Sequence, residues 1–207
     1  GYLRTSSGLV LMGWPAQSDG TVPTFPRDTS DGLQPVQINS NQFAGEATTQ
    51  MSLAVNLPAT STSSAATGQS EALSIEYYDN LGKSESVAIE FVPSVPASGS
   101  SNAWTMILRD SASGGAVVGE YDLTFDDTRG LGGTLLSVTP VSGGAYDPAT
   151  GNLAINVNGG PMDIGIGLLG SSTGLTQLSN AFTPVSISKD GTPVGNMTSV
   201  EVDANGF

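Results

Sequence analysis

The chain has 207 residues, with 19 Asp and Glu against 6 Lys and Arg, a formal charge of −13, and neither histidine nor cysteine. Imidazole acid–base chemistry, thiolate nucleophiles, His/Cys zinc sites and disulfides are therefore excluded. So is phosphate recognition by a basic face, because the six cations (Arg4, Arg27, Lys83, Arg109, Arg129 and Lys189) are scattered along the sequence.

At 38% hydrophobic and 12% charged residues, the composition is that of a folded chain rather than a disordered one. No run approaches the ~20 apolar residues of a membrane-spanning helix. Gly1 opens in mid-pattern without a basic-then-apolar leader, which reads as a piece of a longer polypeptide. Apolar residues at helical spacing nowhere persist beyond two turns, whereas period-two alternation recurs throughout.

The elements predicted in chain order are therefore strands. Tyr2-Leu3-Arg4-Thr5 and Leu9-Val10-Leu11-Met12 flank the turn Ser6-Ser7-Gly8 as a hairpin. Val36 and Ile38 follow, then Met51, Leu53, Val55 and Leu57. Leu73, Ile75 and Tyr77 pair across a turn at 78–83 with Val87, Ile89 and Phe91. Further strands are predicted at 104–108, 121–125, 135–138, 153–157 and 164–166. Val185–Ser188 turns at Asp190-Gly191 and resumes through Val194 to 200–202, as a closing hairpin.

Two stretches poor in large side chains, 58–70 and 171–180, read as crossings between domains. They divide the chain into a discontinuous inner β domain, 1–57 with 176–207, and an inserted β-barrel or sandwich domain, 58–175. Leu57, Pro58, Gly174 and Leu175 mark the crossings. Charge follows the division: 12 acids and 3 bases in the insert, 7 and 3 outside it. The fold class is all-β, two domains with the second nested in the first.

The order of short motifs adds a family. Tyr2-Leu3, Gly8, Leu11, Gly13 and Trp14 resemble the Y-L-x-x-x-x-G-x-x-L-Q-G-W stretch of the bacterial flagellar hook protein family, with Met12 where glutamine is usual. Leu33–Ile38 is similar to its L-x-P-I-x-I strand, and Ala47-Thr48-Thr49 with Leu53, Asn56 and Leu57 to its A-T-T … N-L segment. Tyr78-Asp79-Asn80-Leu81-Gly82-Lys83 resembles Y-D-S-L-G-N, Trp104 falls where the family has a tryptophan strand, and Leu123–Asp126 resembles L-x-F-D. Asp190-Gly191 with Gly195 resembles D-G-x-x-x-G-x, and 200–206 the strand and turn that follow.

The resemblance implies a structural subunit without its terminal helices, exported by the flagellar secretion apparatus to the hook. There copies assemble into a flexible tube, a universal joint that carries motor torque to the filament. It implies partners that are other copies of the chain, with hook cap and hook–filament junction proteins as further candidates. It implies no cofactor, no metal, no nucleic acid, no membrane and no catalysis, and a monomer when isolated. The lack of cysteine suits export unfolded through a narrow channel.

Three sharper readings compete. Glu120, Asp122, Asp126 and Asp127 could form a calcium site, although no D-x-D-x-D-G spacing supports it. Trp14 and Trp104 could stack on sugars in an extracellular adhesin or carbohydrate-binding module. A glycosidase needs only two carboxylates, and nineteen are available with nothing to select a pair. Lys83 and Lys189 lie outside any S-x-x-K pattern, and Asn196-Met197-Thr198 matches a glycosylation acceptor.

Overall fold

The structure, a computed structural model, describes residues 1–16, 21, 24–25, 29–38 and 44–195. The Asp19-Gly20 turn, Arg27, the 196–198 motif and the strand and turn expected at 200–206 lie outside the described residues. Two compact units emerge: Gly1–Ala44 with Gly195–Phe207, and Gly45–Val194. Among the described residues the only helical piece is one 3₁₀ turn, Ala59–Thr62.

In the first unit the predicted hairpin forms. The amide of Thr5 donates to the Leu9 carbonyl and that of Leu11 to the Leu3 carbonyl, each at 2.9 Å. Gly8 supplies the left-handed residue of the turn at φ 87°. Strand β1 (Met12–Gly13) then pairs antiparallel with β2 (Gln34–Pro35).

The second unit is larger. Strands β3 (Ala44–Glu46) and β15 (Thr192–Gly195) cross its two boundaries and pair with each other. Between them, β5 (Glu71–Tyr78), β6 (Ser84–Pro93), β7 (Ala103–Asp110), β8 (Ala116–Phe125) and β9 (Leu135–Ser142) form an antiparallel meander in that order. A second, mixed sheet runs β10 (Tyr146–Asp147), β11 (Asn152–Val157), β12 (Gly160–Gly165), β4 (Gln50–Pro58) and β13 (Thr176–Leu178), with β14 (Thr183–Lys189) also on β4.

The alternation seen in the sequence is what buries the core. Val87, Ile89 and Phe91, then Met106 and Leu108, then Tyr121, Leu123 and Phe125 face inward on successive strands of the meander. They share one cluster with Leu53, Val55, Leu57, Leu153, Ile155 and Ile164 of the mixed sheet. Each fully buried aliphatic side chain contributes about 1.5–3 kcal/mol. The two sheets thus form the faces of one body.

Strand β4 is the centre of that body. It runs parallel to β12 at Gln50–Ser52 and to β13 at Asn56–Pro58, and antiparallel to β14. Parallel neighbours require long crossovers, and the whole meander serves as one. Parallel pairing leaves no turn motif, so it was not expected from sequence.

Two expectations change here. The boundary drawn after 57 falls inside strand β4 and that before 176 at the start of β13, and the compact units divide at 44/45 and 194/195. Leu57 and Leu175 are fully buried, Pro58 ends β4, and Gly174 leads into β13 at φ 99°. The small residues after Pro58 form the 3₁₀ turn and a loop on the same body. Thr62 there is fully buried and donates its hydroxyl to the Ala59 carbonyl at 3.0 Å. Few large side chains reflect close packing of backbone, not a tether.

The closing hairpin is also different. Among the described residues β14 pairs with β4 and β15 with β3, so Asp190-Gly191 joins two strands that each pair elsewhere. A Cβ on Gly191 would stand 2.1 Å from the Thr48 hydroxyl, so glycine is needed there for close approach.

Candidate functional site

The alternation of β7 places Trp104, Met106, Leu108 and Asp110 on the inner face, so a carboxylate enters the core by parity. Asp110 is fully buried. Its Oδ1 accepts from the Tyr77 hydroxyl at 2.7 Å and the Ala112 amide at 3.1 Å. Its Oδ2 accepts from Ser113 at 2.6 Å and from the Asn158 amide at 3.0 Å. Burial alone would raise its pKa, but the four donors outweigh that and hold it below the ordinary carboxylate value. Tyr77 is driven upward by burial, by its bond to Asp110 and by that charge. Because Asn158 sits in the β11–β12 turn, Asp110 ties the mixed sheet to the meander.

A second tie lies at the opposite end of β7. Trp104 is 1% exposed and its Nε1–H donates to Gln177 Oε1 at 2.8 Å, while Gln177 Nε2 donates to Asn102 Oδ1 at 2.9 Å. Asn56 makes a third tie, within the mixed sheet: its Nδ2 donates to the carbonyls of Asn180 and Ala181, and its Oδ1 accepts the Leu178 amide. Sequence reading passed over Asp110 and Gln177 and took Asn56 only as part of a family motif. The signal was present for Asp110: a charged residue at an inward position of an otherwise apolar alternation.

The motif residues sit at turns and bends rather than in one place. Asp79 Oδ1 accepts the Leu81 and Lys83 amides at 2.8 and 2.9 Å, and Gly82 takes φ 73°, which closes the β5–β6 hairpin. Asp190 Oδ1 accepts the amides of Thr49 and Gln50, and Oδ2 accepts the Thr49 hydroxyl at 2.6 Å. Gly195 ends β15. In the first unit Gly13 lies in β1, and Trp14 stacks on Phe25 with ring centroids 6.3 Å apart. The Trp14 Nε1–H donates to the Asp31 carbonyl at 3.2 Å.

In the structure these groups hold strands and turns together. The burial of Trp104 leaves it no face for a sugar. Asp122 accepts from Thr105, Asp126 from Thr128 and Asp127 from Asn102, so the acidic run is tied down by neighbouring donors. Among the described residues no group of three or more carboxylates, histidines or cysteines could hold a metal ion. A cleft of about 340 Å³ includes Gln50, Ser52, Asn152, Asp163, Lys189 and Asp190 in its lining, but both Asp190 oxygens are already engaged. Lys189 Nζ donates to Glu76 Oε2 at 2.8 Å and lies 4.2 Å from the Tyr78 ring centroid. That bond, with those from Ser84 and Tyr78, lowers Glu76 to about 2.

Comparison with known proteins bears on what is held. Residues 46–192 match the family model described as the flagellar basal body protein FlaE D2 domain. The boundaries of that match follow the second unit closely. The whole chain is 30% identical over 211 residues to the flagellar hook protein FlgE of Rhizobium meliloti (strain 1021), covering 100% of this chain and 46% of the relative. The chain thus spans about half the length of that curated relative. A crystal structure of Helicobacter pylori flagellar hook protein FlgE2 has a similar fold, with a TM-score of 0.60 and 12% identity over 100% of this chain and 74% of that one.

Proposed function

This chain belongs to the flagellar basal body protein FlaE D2 domain family, and from that premise we propose that it is the β portion of a bacterial flagellar hook subunit. The observation that carries the reading is the agreement between the matched residues, 46–192, and the compact unit Gly45–Val194. The role is structural: copies assemble into a tube outside the cell that bends while it transmits motor torque to the filament.

The physical features suit that role. The core is cross-tied by Asp110, Gln177 and Asn56, so the unit keeps its shape under load, and the chain is rich in small polar residues and carboxylates. Small polar contacts exchange at low cost, which lets neighbouring subunits slide as a curved tube rotates. Large buried anchors would fix one geometry. Hook cap and junction proteins remain candidate partners. The adhesin reading is not favoured: the matches are to flagellar hook proteins, and of its two candidate sugar-stacking tryptophans Trp104 is sealed in the core while Trp14 is half-buried against Phe25.

The test is an in-frame deletion of residues 45–194 from the gene that encodes this chain. Loss of motility with hooks absent or truncated in electron micrographs is the expected result. Normal hooks and normal swimming would overturn the reading.

A further inference from the structure

We propose that the Asn158-Gly159 turn between β11 and β12 is a site of spontaneous deamidation and isoaspartate formation, and that the change loosens the tie between the two sheets at Asp110. The inference stands apart from the assembly reading, because it uses only this turn and its neighbours.

The turn is open to the reaction. Strands β11 and β12 pair in register from Asn152↔Gly165 to Val157↔Gly160, so Asn158 and Gly159 alone make the loop. Asn158 is exposed, and its side-chain amide bonds to no group among the described residues. The Gly159 N–H likewise donates to none of them. Glycine sets no Cβ beside that nitrogen, and an added Cβ would meet nothing nearer than 3.8 Å, so the approach is unhindered. The other described asparagines differ. Asn56, Asn80 and Asn102 hold hydrogen bonds through their side chains, and Asn152, Asn156 and Asn180 precede residues that carry a Cβ. Asn205 also precedes a glycine but lies outside the described residues.

The reaction needs only water. The Gly159 nitrogen attacks Asn158 Cγ, and a C–N bond forms as the Cγ–Nδ2 bond breaks. The displaced NH₂ leaves as ammonia with the proton of the Gly159 N–H, and a five-membered succinimide remains. Water then opens the ring without any change of oxidation state. Entry at Cγ gives an ordinary aspartate. Entry at the α-carbonyl gives isoaspartate, whose main chain runs through Cβ and Cγ and whose free carboxylate sits on Cα.

The fold makes this turn sensitive to that second product. The Asn158 amide donates to the buried Asp110 Oδ2 at 3.0 Å, and Asn80 Nδ2 donates to the Gly159 carbonyl at 2.7 Å. These anchors stand on either side of the linkage that rearranges. Isoaspartate inserts one methylene carbon between them, so the turn cannot keep both bonds as they are. Its carboxylate also hangs on the Cα whose own nitrogen serves Asp110. A second negative charge thus arrives beside a buried carboxylate, and like charges repel. Ordinary aspartate keeps the backbone path and carries its charge on the exposed side chain.

The test ages the chain in warm, mildly alkaline buffer beside Gly159→Ala, which the open space at 159 accommodates. Tandem mass spectrometry of proteolytic peptides reads conversion at each asparagine, enzymatic methylation reads isoaspartate, and thermal melts read the consequence. Conversion at Asn158 should exceed that at every other described asparagine at least about tenfold, and Gly159→Ala should slow it by at least about tenfold. The aged chain should melt at least about 2 °C below equally aged Gly159→Ala. Change at Asn205 is common to both chains and cancels. If Gly159→Ala does not fold, Asn158→Gln replaces it, since a longer side chain closes the ring far more slowly and the native one makes no bonds to lose. A parallel sample in urea shows the rate without the fold. An intact Asn158 in the folded chain would overturn the proposal, whether or not the urea sample converts. So would conversion at Asn158 that leaves the melt unchanged. Neither result bears on the flagellar assignment, which the deletion above reads.

Discussion

Asp110 is the residue on which the second unit most depends. Its carboxylate satisfies four donors from three places in the chain, and the asparagine replacement would face those donors with one acceptor oxygen instead of two. Leaving buried donors unpaired costs about 1–3 kcal/mol for each group lost. Asp110→Asn should therefore lower stability by about 2–3 kcal/mol at neutral pH, read as a lower urea midpoint with unchanged slope. The sign of the pH dependence follows from the lowered carboxyl. A group held below its unfolded value, near ~3.9, stabilises fully above that value and loses its contribution as pH falls through the folded one. The gap between native chain and Asp110→Asn should thus be flat from about pH 7 to 5 and close below about pH 4. A gap unchanged at acid pH would show that Asp110 contributes by shape alone.

At the scale of elements, β4 decides how the body is built. Its Met51, Leu53, Val55 and Leu57 are buried and the strand is bonded on both sides, so Leu57→Ala should cost about 2–5 kcal/mol in thermal or urea unfolding. A cost below ~0.5 kcal/mol, the usual size for a surface change, would instead return Leu57 to an exposed crossing. The strands themselves were legible: Met51 to Leu57, Val87 to Phe91 and Leu153 to Val157 bury the parity that the sequence displays. The Asp79–Gly82 turn was legible too, because Asp and Gly there act on their own neighbours. What escaped was long-range. The partners of β4 lie more than a hundred residues away, and the Asp190 carboxylate spends its bonds on Thr49 and Gln50, not on a turn of its own. Small residues at 58–70 looked like a linker, since absence of bulk is shared by tethers and by tightly packed loops. Tie residues such as Gln177 carry no local signature, because its partner Trp104 is 73 positions away.

At the scale of the molecule, the charge of −13 sets how copies meet. Self-repulsion should keep the chain monomeric at micromolar concentration, with sedimentation velocity giving the 20.9 kDa species. A stable dimer or larger ring there would contradict a design of weak, sliding contacts. The account stands most directly on where the molecule works. Antibodies raised against this chain and visualised by immunogold electron microscopy should decorate the short curved segment between cell body and filament, and little else. Gold confined to the cytoplasm, or spread over the cell surface with hooks bare, would contradict the assignment to a flagellar hook.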